Sequence, residues 1–162
     1  MQYLLLILLL LVGCDIFPGP DVFILTCDSE IEVQLWDECY NIEETTELDL
    51  SGSWTKLGEL SGEIPPEIGG LVNLIYLNLS FNLLSTIPSE ISSLVNLSHL
   101  DLRYNRIFVI PEDICNISSN LNYFNIEGNY ICEQLPSCLT IEDTGSYQNC
   151  VKAAPSQIDF ND

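Results

Sequence analysis

The stretch Leu71–Leu84, LVNLIYLNLSFNLL, returns almost letter for letter as Leu94–Ile107, LVNLSHLDLRYNRI, 23 residues further on. Extended by a few positions, Leu74-x-x-Leu77-x-Leu79-x-x-Asn82-x-Leu84 aligns with Leu97-x-x-Leu100-x-Leu102-x-x-Asn105-x-Ile107. A third copy follows as Leu121-x-x-Phe124-x-Ile126-x-x-Asn129-x-Ile131, with Asn spacings of 23 and 24. Within each Leu-x-Leu the two apolar side chains point one way and their neighbours the other, as strand alternation demands. A single coil cannot bury its own leucines. Stacked coils bury a continuous apolar column, at roughly 1.5–3 kcal/mol per fully buried Leu or Ile. Asn82, Asn105 and Asn129 are therefore expected to point inward, bonding free backbone groups of adjacent turns.

The second half of each unit repeats as well. Ile64-Pro65-Pro66-Glu67-Ile68, Ile87-Pro88-Ser89-Glu90-Ile91 and Ile110-Pro111-Glu112-Asp113-Ile114 share one template. Each Pro removes a backbone donor and disfavours a regular helix, so short 3₁₀ turns or extended chain are expected on that side. Upstream, Leu48-Asp49-Leu50 supplies a first strand, and an insertion near GSWTKLG (52–58) separates it from its return, LSGEIP. The pattern and period resemble the leucine-rich repeat, and LSGEIP resembles its plant extracellular form. The fold this implies is an α/β-type solenoid: a short right-handed coil with a parallel concave β-sheet, a convex side mostly of 3₁₀ or irregular structure, and disulfide-stapled caps.

A solenoid needs covers at its ends. CDSEIEVQLWDEC (27–39) alternates Ile31, Val33 and Leu35 with polar residues and reads as a strand laid on the first coil. Trp36, close before Cys39, resembles the cap of plant extracellular repeat proteins. CEQLPSCLTIEDTGSYQNC (132–150) loses the repeat and is dense in cysteine. The organisation is then a leader at 1–13, a tether at 14–26, an N-terminal cap at 27–47, repeats at 48–131, a C-terminal cap at 132–150 and a tail at 151–162.

The leader carries an apolar run of ten residues, Tyr3–Val12. A bilayer span needs about 20, so the run fits the core of a signal peptide. Leu11-Val12-Gly13-Cys14 resembles the lipobox of bacterial lipoproteins, which implies cleavage before Cys14, a lipid on its thiol and a bacterial source. The alternative is an ordinary secretory signal. Of seven cysteines, setting Cys14 aside leaves six: Cys27, Cys39, Cys115, Cys132, Cys138 and Cys150. An oxidising compartment permits three bridges. Cys27 and Cys39 share the short N-terminal cap and are expected to pair. For the other four, stacking of adjacent coils favours Cys115–Cys138 with Cys132–Cys150, one of three possible arrangements.

Four Lys and Arg stand against 24 Asp and Glu, a net charge of −20. Such a chain repels phosphate backbones, which argues against nucleic acid as a partner. No nucleophile elbow, phosphate loop, dinucleotide fingerprint or zinc-protease motif is present, and the single histidine, His99, makes no recognisable triad. No metal, cofactor or enzymatic activity is expected.

The concave face is the expected binding surface, and its outward rows follow from the alignment. One is Glu47, Tyr76, His99 and Tyr123. The next is Asp49, Asn78, Asp101 and Asn125. The third is Ser51, Ser80, Arg103 and Glu127, with Phe81 and Tyr104 at the edge. Aromatic rings beside acids and amides suit a protein, peptide or carbohydrate; the same rings could instead pair across strands for sheet stability. Four strands spaced by about 4.8 Å make a face on the order of 200–250 Å². That falls short of the ~800 Å² per partner of a standard interface. The expectation is an exported recognition module of the cell envelope, monomeric and held to the membrane only by its lipid. The alternative is a structural or adhesion component without a discrete site.

Overall fold

A computed structural model describes residues 27–53, 55, 58–132, 135–140 and 142. The leader with Cys14, the tether, Trp54, Lys56, Cys150 and the tail lie outside these residues.

The N-terminal cap is a hairpin, not a single strand. β1 (Glu32–Leu35) pairs antiparallel with β2 (Glu38–Asn41). The chain reverses at Trp36 and Asp37, with Trp36 in the left-handed region at φ +53°. The disulfide Cys27–Cys39, with Cα atoms 5.5 Å apart, ties the segment before β1 to β2. Leu35 is buried, and Val33 lies over the first coil at Gly70, where a Cβ would fall 2.7 Å from Val33 Cγ1. Ile31 departs from the alternation and is 53% exposed. It belongs to the turn entering β1, where its N–H donates to the Asp28 carbonyl at 3.0 Å.

The repeats each contribute one short strand to a parallel sheet of four. Its order is β3 (Glu47–Asp49), β5 (Tyr76–Asn78), β7 (His99–Asp101) and β8 (Tyr123–Asn125). Glu47, Tyr76, His99 and Tyr123 stand in register, as do Leu48, Leu77, Leu100 and Phe124. The central leucines are buried, and Phe124 packs partly buried against the same core. A second, two-stranded parallel sheet joins β4 (Ser61–Glu63) to β6 (Leu83–Thr86). Its register shifts between Gly62 and Glu63, and Gly62 takes φ +80° there.

The convex side returns through 3₁₀ turns at Pro66–Gly70, Ser89–Ser93, Glu112–Asn116 and Ser118–Asn120. Pro65, Pro88 and Pro111 precede the first three at φ −58°, −74° and −68°, near the value the ring enforces. Ile68, Ile91 and Ile114 then donate three residues back to those prolines, at 3.0, 3.2 and 3.1 Å. All three isoleucines are fully buried beneath the turns.

The C-terminal cap is held to the third turn. Cys115–Cys138 has a Cα separation of 5.6 Å. Beside it, Glu112 accepts from the Ser137 N–H and hydroxyl, and these bonds hold its carboxyl below the ordinary range. Cys132 is also disulfide-bonded; Cys150, its expected partner, lies outside the described residues. Among the described residues no helix is long and apolar enough to cross a membrane.

Candidate functional site

Two columns of asparagine hold the coils that carry the concave face. In the inner column Asn82, Asn105 and Asn129 are buried. Each amide donates to a carbonyl one coil back: Leu50 at 2.9 Å, Leu79 at 2.9 Å and Leu102 at 2.9 Å. Each side-chain oxygen accepts from the preceding coil as well, from the N–H of Leu60, Leu84 and Ile107 at 3.3, 3.0 and 3.0 Å. An outer column, Asn73, Asn96 and Asn120, donates to the carbonyls of Glu43, Val72 and Val95 at 3.0, 2.9 and 2.9 Å. Sequence reasoning did not single out this second column. Its signal was the Asn that recurs just before the first Leu of each copy, at the same spacings of 23 and 24.

On the concave face Tyr76, His99 and Tyr123 form one continuous stack. Ring centroids are 4.3 Å apart for Tyr76–His99 and 4.2 Å for His99–Tyr123, with interplanar angles of 20° and 4°. All three residues are part-buried.

The neighbouring row is less open than the alternation implies. Asp49, Asn78, Asp101 and Asn125 each accept, through Oδ1, the N–H two residues on: Ser51 at 3.0 Å, Ser80 at 3.1 Å, Arg103 at 3.1 Å and Glu127 at 3.0 Å. Each strand therefore ends in an Asx turn, a local bond that competes with continued extension. Two residues expected to be open on the face are covered by their neighbours instead. Asp101 is 3% exposed and Ser80 1% exposed. The turn tucks Ser80 under Asn78, to which its hydroxyl donates at 2.7 Å. Asp101 lies 3.2 Å from Arg103 Nε as an ion pair whose Nε–H is not aligned for a hydrogen bond. Burial pushes the Asp101 carboxyl up; the Arg103 N–H and charge, His99 and the Tyr123 hydroxyl oppose this without cancelling it. At Asp49 burial also acts upward, but bonds from Ser51 and Asn78 outweigh it and the carboxyl sits below its ordinary value.

The rim carries a second aromatic group. Phe81 and Tyr104 stack at 4.8 Å, both in the left-handed region at φ +57° and +54°. The Arg103 guanidinium lies 5.6 Å from the Phe81 ring centre. Beyond them Phe108, 56% exposed, stacks on Tyr130 at 5.4 Å. A shallow cleft of about 230 Å³ runs between Phe81, Tyr104, Arg106 and Tyr130. Phe108 and Tyr130 were not among the expected contact residues, because each follows a core position where the repeat pattern is silent.

A parallel sheet of one strand per coil, crossed by an inward asparagine column, defines a repeat solenoid. Residues 64–107 match the leucine rich repeat family model. A search of curated proteins finds no match. Among solved structures the chain is similar to a leucine-rich-repeat protein of Leptospira interrogans, with 34% identity and a TM-score of 0.46 over 52% of this chain and 20% of that one. It is similar to an internalin from Listeria monocytogenes, with 27% identity and a TM-score of 0.49 over 60% of this chain and 26% of the other. It is also similar to the Arabidopsis receptor kinase HAESA, solved with a peptide hormone and a co-receptor, with 41% identity and a TM-score of 0.47 over 55% of this chain and 14% of the receptor. The chain thus spans about a quarter or less of the length of each of these structures.

Proposed function

We propose that this protein is an exported, non-enzymatic recognition module that binds a protein or peptide through its concave sheet and the adjoining rim. The leucine rich repeat match over residues 64–107 supports a binding module, and the disulfides are compatible with export. Anchoring by a lipid on Cys14 is part of the proposal and rests on the lipobox-like Leu11–Cys14 alone. The observation that carries the binding face is the Tyr76–His99–Tyr123 stack beside the Asp101–Arg103 pair. A rigid apolar column next to fixed charge is what a polypeptide presenting both side chains and backbone can match. Carbohydrate is the alternative ligand class.

A second reading, a structural envelope or adhesion component, gains from the same geometry. The rings already satisfy one another, Asp101 is buried, and the Asx turns engage the single side-chain oxygen of Asn78 and of Asn125. Capture from envelope extract with Tyr76→Ala/Tyr123→Ala separates the readings. Loss of saturable capture, with the thermal midpoint nearly held, supports recognition. Unfolding of the variant supports the structural role, and capture unchanged by the double substitution removes the concave site.

A further inference from the structure

We propose that the cleft between the N-terminal hairpin and the first coil is a separate binding site, one that takes the guanidinium of an arginine side chain from a partner polypeptide. The cleft has a volume of about 390 Å³. That falls within the usual ~300–1,000 Å³ of ligand pockets, whereas the rim cleft of about 230 Å³ does not. Its walls include Trp36, Tyr40 and Leu60, and it is lined by the exposed carboxylates of Asp37, Glu38 and Glu59. No cationic residue is among those described as lining it. Aromatic walls with carboxylates beside them favour a planar, weakly hydrated cation, which stacks on a ring and bonds a carboxylate in two places at once. A hard metal ion needs six or more converging oxygens instead, which aromatic and leucine walls do not offer.

One wall group is held in place and another carries local strain. The Tyr40 hydroxyl donates to Glu38 Oε2 at 2.8 Å and fixes that carboxylate. Burial first, then the hydrogen bond and charge of Glu38, push the Tyr40 phenol up to about 12, so it stays a donor across the physiological range. Trp36 is set into the wall at φ +53°, with its Nε1 buried and without a hydrogen-bond partner. Left-handed backbone in a bulky residue and an unpaired buried N–H are each destabilising, and such costs concentrate at functional sites. The net charge of −20 supplies the long-range term, since it draws a basic partner toward the whole molecule.

The test is a titration of the ¹⁵N-labelled full chain with Nα-acetyl-arginine amide, in about 0.3 M salt so that surface attraction is screened. The readout is the indole N–H resonance of Trp36, told apart from that of Trp54 by a Trp54→Phe variant. The expected result is a saturable shift, with Nα-acetyl-citrulline amide and Nα-acetyl-lysine amide at least several-fold weaker. Glu38→Gln should weaken arginine binding by about tenfold. Tyr40→Phe, which keeps the ring but frees the carboxylate, should weaken it by about two- to fivefold. A shift that never saturates overturns the proposal, as does an equal response to citrulline. Equal binding of the lysine probe overturns the assignment to arginine. Binding that survives both Glu38→Gln and Glu59→Gln in folded protein overturns the carboxylate role and the site with it. Binding that emerges only in Lys56→Ala would make the occupant this chain's own lysine rather than a partner's arginine.

Discussion

Asn105 and Leu79 are joined across coils: the Asn105 amide donates to the Leu79 carbonyl at 2.9 Å while both residues are buried. The same side chain donates to Leu102 O at 3.1 Å and accepts from Leu84 N at 3.0 Å. Removing it leaves two carbonyls and one N–H in the core without that partner. Asn105→Ala is therefore expected to destabilise the fold by about 3 kcal/mol, since each orphaned buried group costs ~1–3 kcal/mol and the effects overlap. Asn120→Ala removes the bond to Val95 O and a long one from the Ser119 hydroxyl, both at an exposed position, and should cost about 1 kcal/mol or less. Urea unfolding of both variants checks the ranking. Equal losses would mean that the inner column is no more important than the outer one.

Asp101 offers a test in which charge and hydrogen bonding act in opposite directions. Its Oδ1 holds the turn at Arg103 N, a bond that Asn78 and Asn125 make in the flanking strands without a charge. Its carboxyl is raised in the folded state, so between the unfolded and folded values the native protein binds more protons than the unfolded chain. Stability on this account falls as pH rises through that window and is recovered on acidification. Asp101→Asn keeps the acceptor and removes the buried charge, at the expense of the Arg103 ion pair. It should match or exceed the parent in thermal midpoint at pH 7, with any advantage shrinking toward the acid end of the carboxylate range. Asp101→Ala loses the turn and should fall below the parent by about 1 kcal/mol. A midpoint for Asp101→Asn as low as that for Asp101→Ala would show that the ion pair, not the turn, holds this position.

The periodic parts of the molecule were legible from sequence because they recur. The spacing of 23 and 24 placed Asn82, Asn105 and Asn129 on one column, and the same frame put Glu47, Tyr76, His99 and Tyr123 in one row. What escaped is set by local bonds that alternation does not encode. Strand periodicity puts Asp101 and Ser80 on the outward side, but neighbours cover them there: Arg103, His99 and Tyr123 surround Asp101, and Ser80 bonds Asn78, whereas Asp49 with the same turn stays exposed. The hairpin at Trp36 escaped for a different reason. A two-residue reversal ordinarily uses Gly or Asn, and here a tryptophan takes the left-handed conformation instead. The small β4–β6 sheet carries Gly62 at positive φ; the glycine stands in LSGEIP, but strand alternation there does not reveal a second sheet.

Gly128 occupies the repeat position held by Phe81 and Tyr104 in the two preceding coils, and all three are left-handed, with Gly128 at φ +73°. A Cβ there would fall 2.5 Å from Cδ1 of Tyr104, so the glycine leaves the room in which that ring lies. Two separable costs follow for Gly128→Ala. The backbone term is about 1 kcal/mol, because alanine resists positive φ. The clash adds about 1–3 kcal/mol, because the Tyr104 ring must leave its stack on Phe81 or the coil must shift. Tyr104→Gly relieves a strained backbone and loses a stacked pair, terms of about 1 kcal/mol each that nearly cancel. In the double variant the clash is gone and only the backbone term remains. Chemical denaturation of the four proteins should therefore give a coupling equal to the clash, about 1–3 kcal/mol, between the two sites. Additive losses would mean that the Tyr104 ring does not rest against Gly128, and the rim would then lack the fixed aromatic edge on which its place in the binding face depends.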